Sequence, residues 1–130
     1  MIAKISSSEN LAGALGYNFK KVVSGDASVL LAEGLYANPE GGYTMEEVLS
    51  DMQAAIPKKC RTKNVVFHCS LNPHPDEKLS DEQLTQIAQE YMQALGYGEQ
   101  PYIVFKHNDI EREHIHIVSL RVNSAGEKIN

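Results

Sequence analysis

The chain alternates short stretches of strand-like and helix-like apolar patterning. Residues 2–6, Ile-Ala-Lys-Ile-Ser, predict a short strand. The segment 9–17 reads as a short helix or turn that carries Leu11, Ala14 and Leu15 and ends near Gly16 and Tyr17. Within 25–42, Val29 to Leu31 fit either a strand or a helical turn, and Asn38 to Gly42 read as a loop. Two helices are clearer. Thr44 and Glu47 match a capping box, and Met45, Val48, Leu49, Met52 and Ile56 share one helical face. Pro57 then closes a helix over 44–56. Ser80 and Gln83 match a second box, followed by Leu84, Ile87, Ala88, Tyr91, Met92 and Leu95 at helical spacing. Gly96 is the stop of a helix over 80–95.

Three strands surround these helices. Residues 64–71 alternate, with Val65, Phe67, Cys69 and Leu71 on one side and Val66, His68 and Ser70 on the other. Residues 101–107 and 114–122 are rich in Ile, Val and Phe, and the six residues between them suit an antiparallel hairpin. The order predicts an α+β fold, an antiparallel β-sheet with helices packed on one face, and places helices 44–56 and 80–95 together on that face.

A length of 130 residues fits one domain, 1–130, with a single core. The hydrophobic fraction is 42% and the charged fraction 22%, as in soluble globular chains. No apolar run approaches the roughly 18 residues of a membrane span, and the N-terminus does not read as a secretory signal, so the cytoplasm is the expected compartment. Cys60 and Cys69 match neither zinc-ribbon nor redox spacing and are expected to pack as thiols. Segment 124–130 reads as a turn leading into another strand, so the chain is expected to be the N-terminal part of a longer protein.

The net charge is -5, which argues against a uniformly basic, nucleic-acid-binding surface. The charges are unevenly spread, however. Acids gather in 40–51 and 76–90, while Lys20, Lys21, Lys58, Lys59, Arg61, Lys63, Lys106, Arg112 and Arg121 carry most of the positive charge, so a local basic face remains open.

Candidate chemistry concentrates in 106–118. His114 and His116, two apart on a strand, share a face, and a symmetric hairpin sets His107 opposite His114 on that same face. Three imidazoles then converge at the open end of a two-stranded ribbon. Such a set suits manganese, zinc, nickel or iron better than bare magnesium, and three protein ligands leave positions for a substrate, as in catalytic sites. His68 and His74 are expected in surface or outer supporting roles.

The string His107-x-Asp109, His114-Ile115-His116 and Arg121-Val122-Asn123 resembles the third motif of relaxases in the mobilization-nuclease family, a branch of the His-hydrophobic-His endonucleases. Residues 2–5 with Gly13 to Val22 look like that family's first motif, and 64–95 resembles its middle segment. The chain departs from the family at Glu111-Arg112-Glu113, where a Pro or His often precedes the paired histidines. It departs again at Gly16, where Asn is common.

The resemblance implies single-strand DNA nicking at a transfer origin, for conjugative mobilization. In that scheme Tyr17 is the nucleophile, leaving a 5′-phosphotyrosine. A divalent metal ion (Mn2+ or Mg2+, with Zn2+ or Ni2+ as other fits) sits on His107, His114 and His116, and Asp109 orients a ligand histidine or accepts the tyrosine proton. Tyr36 and Tyr43 compete as nucleophile, and Tyr91 falls on a helix's apolar face. Lys20, Lys21, Lys106, Arg112 and Arg121 flank the site and are the candidate DNA contacts. The expected partners are single-stranded DNA at the transfer origin and accessory mobilization proteins. Two other classes fit the same residues: a zinc-dependent hydrolase of a small substrate, and a catalytically silent module that binds single-stranded DNA.

Overall fold

The computed structural model describes residues 1–36, 42–108 and 113–129. Five strands and three helices occur among them, in the order β1 (Ile2–Ser8), α1 (Leu11–Val23), β2 (Ala27–Glu33), α2 (Met45–Ala54), β3 (Val66–Asn72), α3 (Asp81–Ala94), β4 (Tyr102–His107) and β5 (His114–Leu120). The strands form one sheet in the order β1-β3-β5-β4-β2, and every neighbouring pair is antiparallel. The α+β class and the β4–β5 hairpin expected from the sequence are both present. The ambiguous stretch around Val29 is strand β2, with a register shift between Val29 and Leu31.

The helices do not share one face, and this corrects the sequence expectation. Leu84, Ala88 and Met92 of α3 pack with Phe67, Cys69, Val104, Ile115 and Ile117. Leu11, Leu15 and Phe19 of α1, with Val48 and Met52 of α2, pack on the opposite side with Val66, Ile103, Phe105, Val118 and Leu120. The reason lies in the inner strands. Runs such as Ile103-Val104-Phe105 and Ile117-Val118 are apolar on successive residues, so both faces of the sheet are buried. Each face then needs its own helical layer.

Helix α1 is also longer than expected. A glycine inside a helix costs about 1 kcal/mol relative to alanine, which favours a stop near Gly16. Continuing the helix buries Phe19, 5% exposed, and a buried aromatic of this size is worth roughly 1.5–3 kcal/mol. Burial wins, and Tyr17 comes to lie inside the helix. Asn10 caps its start by accepting from the Gly13 N–H at 2.8 Å, and Lys20 and Lys21 occupy its last turn, where cations complement the carbonyl end.

The other helix ends follow the sequence closely. Ser80 and Gln83 complete a reciprocal capping box, and the Leu95 cap of α3 is followed by Gly96, whose φ of +87° suits glycine. At α2 only half the box forms: Thr44 Oγ1 accepts from the Glu47 N–H, and its hydroxyl donates to the Glu47 carboxylate. Beyond β5 a turn brings Lys128 back to bridge Val122. No helix of the described residues is long and apolar enough to cross a membrane.

Candidate metal centre

The antiparallel register of β4 and β5 pairs His107 with His114 directly. His116, two residues on, faces the same side. The ring centroids lie 4.0 Å apart for His107 and His116, 5.0 Å for His114 and His116, and 5.2 Å for His107 and His114. One nitrogen from each ring lies within 4.8 Å of the other two. The three-histidine cluster expected from the sequence is therefore formed by the hairpin alone.

Contacts from other elements hold two of these rings. His107, fully buried, places Nε2 2.7 Å from Oδ1 of Asn18 on α1. His116 places Nδ1 3.1 Å from Nε2 of His68 on β3, and their rings stack at 5.2 Å. Burial lowers the pKa of His68, which favours its neutral form as a hydrogen-bond partner. Nδ1 of His107, Nδ1 of His114 and Nε2 of His116 are buried ring nitrogens that these contacts do not use. A shared divalent cation fits them, because neutral imidazole nitrogens of intermediate softness suit manganese, zinc or nickel.

The Tyr17 ring lies over this cluster. It stacks on His107 with centroids 6.1 Å apart and planes 21° from parallel, and lies 6.2 Å from His116. Its side is open to solvent, with 52% of the residue exposed. Lys21, one turn on, sets its ammonium 5.9 Å from the Tyr17 ring centre. Among the other tyrosines, Tyr97 and Tyr102 are buried on the α3 face of the sheet. Tyr91 packs against that same cluster. Tyr36 is 91% exposed, with its N–H bonded to Asp51, and Tyr43 packs against the α1–α2 cluster.

A family model described as relaxase, MobA/VirD2-like, nuclease domain matches residues 17–130. This is most of the chain, and it includes Tyr17 and all three clustered histidines. The chain belongs to the relaxase family. Comparison with curated proteins gives no match.

Not every residue singled out from the sequence joins the relaxase centre. Lys106 alternates with His107 along β4 and so projects to the opposite face, where it bonds Asp81 at 2.6 Å and lies 3.6 Å from Glu113. These carboxylates raise its pKa. Arg121 lies past the far end of β5, donates to the Asn64 carbonyl and interacts with Tyr97. Lys20 and Lys21 remain on the helix of Tyr17. Asp109 and Arg112 lie outside the described residues.

Asn18 was not among the residues singled out from the sequence, whereas His68 takes the outer supporting role expected of it. Asn18 is a polar residue inside an amphipathic helix, at a position whose neighbours face the core. That was the available signal. For His68 the signal was its place on the polar side of 64–71, which becomes the histidine face once β3 pairs with β5. His74 is exposed near Asp76, and both cysteines are free thiols, with Cys69 buried.

Proposed function

We propose that this relaxase chain nicks one DNA strand at the transfer origin of a plasmid or mobile element, with Tyr17 as the attacking group. The observation that supports this most directly is the Tyr17 ring stacked on His107, half exposed, on the open side of the cluster. The Tyr17 Oη bonds to phosphorus as the bond from phosphorus to the 3′ oxygen breaks. The phosphate stays on Tyr17 as a 5′-phosphotyrosine, and the departing oxygen takes up a proton to become a free 3′-hydroxyl.

His107, His114 and His116 would hold the divalent ion, manganese or magnesium for function, with zinc or nickel as closer chemical fits to the donor set. When bound, such an ion draws charge from non-bridging phosphate oxygens. The phenol must also lose its proton. Asn18 already occupies Nε2 of His107, so we assign Asp109 the proton rather than the orientation of that ring. Lys21, close to Tyr17, and Lys20 supply positive charge for the strand entering the site. Arg112, which lies between β4 and β5 in the sequence, is a further proposed contact. Single-stranded DNA at the transfer origin is the substrate, and accessory mobilization proteins are the further partners of this reading.

The test is a covalent adduct. Incubation with Mn2+ and single-stranded oligonucleotides spanning a transfer origin yields a slower protein band that survives denaturation, and Tyr17→Phe abolishes it. An undiminished band in Tyr17→Phe would move the nucleophile to Tyr36 or Tyr43.

A further inference from the structure

Asn18 and Tyr17 are consecutive on α1, and both meet His107. The phenol ring stacks on the face of the imidazole, while the Asn18 amide bonds its edge. Asn18 is fully buried inside a helix, a costly place for an amide unless both of its ends are satisfied.

Its orientation follows from donor and acceptor logic. Asn18 Nδ2 lies 2.9 Å from the Ala14 carbonyl, one turn back on α1. A carbonyl only accepts, so the NH2 end must face it and Oδ1 must face His107. An amide oxygen also only accepts. The proton in the 2.7 Å contact therefore belongs to His107 Nε2. In its neutral form the imidazole carries only that one ring proton, which leaves Nδ1 of His107 bare, and with Nε2 turned to Asn18 it is Nδ1 that the ring can offer to the cluster.

We infer that Asn18 is a positioning residue that locks His107 in the Nε2–H tautomer and so presents a bare Nδ1 to the cation before it arrives. The inference rests on the proposed metal role of His107. Through the same residue the helix bearing the nucleophile is tied to a ligand of the metal. Position of the phenol and readiness of the ligand are thereby set by one backbone segment. An outer partner of this kind is worth about 10- to 100-fold in metal affinity in comparable sites.

The experiment reads the tautomer directly. In the metal-free wild-type chain, at a pH where the rings are neutral, nitrogen-15 NMR finds the His107 proton on Nε2. In Asn18→Leu the ring becomes a mixture of tautomers, and Zn2+ affinity by calorimetry falls about 10- to 100-fold, while circular dichroism is unchanged. Asn18→Asp keeps an acceptor at the same place and restores both the tautomer and the affinity. A wild-type His107 protonated on Nδ1 overturns the inference without any substitution, so misfolding of a variant cannot rescue it. An Asn18→Leu chain with unchanged tautomer and affinity overturns it equally. Wild type with the expected tautomer that takes up no Zn2+ leaves the assignment of the proton standing and defeats the metal reading instead.

Discussion

At the scale of single residues, the site consists of side chains whose second contacts matter as much as their first. His116 illustrates this, because its Nδ1 is engaged by His68, which leaves Nε2 as the nitrogen it can offer to the cluster. Replacing His114 and His116 together by Ala leaves one imidazole of the three, and calorimetry then finds no divalent-ion binding. Unchanged affinity would place the ligands elsewhere. His68 adds a pH dependence. Its pKa in the folded chain lies below the ordinary 6.5 because burial disfavours the charged form. The unfolded chain therefore binds a proton more readily, so the contribution to stability is present above about pH 6.5 and is lost as pH falls through the folded value. Melting temperatures of the metal-free wild type decline on acidification below 6.5. In His68→Gln that decline is shallower. Equal slopes in the two chains would show that His68 titrates alike in both states.

Among the elements, α1 brings Tyr17 and Asn18 to the histidine cluster, and α3 packs on the opposite face of the sheet. Met52 of α2 and Met92 of α3 are both fully buried, on opposite sides of the sheet. Truncating either to Ala opens a cavity and costs roughly 2–5 kcal/mol. If both faces are cores, chemical denaturation shows losses of this size in both variants. A negligible loss in one would mean that its face is not a packed layer. The cap of α3 is a finer test. Ser80→Ala removes the side-chain acceptor of the Gln83 N–H and costs about 1 kcal/mol, which lowers the melting temperature by a few degrees. Because α3 lies across the sheet from the histidines, Zn2+ affinity in Ser80→Ala stays at the wild-type value.

Over the whole molecule, a chain of net charge -5 has to meet a polyanion. Lys20 and Lys21 share a helix with Tyr17, whereas Lys106 is paired with Asp81 across the sheet. For single strands the logarithm of affinity falls with the logarithm of salt by about 0.7 for each phosphate neutralised. Lys20→Gln with Lys21→Gln accordingly flattens the salt dependence of oligonucleotide binding by about 1.4 if each lysine meets one phosphate. Lys106→Gln leaves the slope as it was. A slope that drops in Lys106→Gln and holds in the double variant would put the DNA on the α3 face.

Much of this was legible along the chain because it is local. Capping at Ser80, the stop at Gly96 and the spacing of Leu84, Ala88 and Met92 depend on neighbours within a turn or two of helix. The cluster of His107, His114 and His116 is nearly as local, since strand alternation and one short hairpin suffice to bring it together. Other features needed distant partners. Whether α1 stops at Gly16 depends on Phe19 finding Phe105, 86 positions away in sequence, where their rings meet edge to face at 5.2 Å. The division of helices between two faces depends on β5 lying inside the sheet, between β3 and β4. Asn18 and His68 become partners of the site only when α1 and β3 pack against the hairpin, contacts spanning 89 and 48 residues. Local sequence determined which histidines come together, through periodicities that any short segment can express. Tertiary structure decided what orients them, because a buried polar group must find its hydrogen-bond partner wherever packing supplies one.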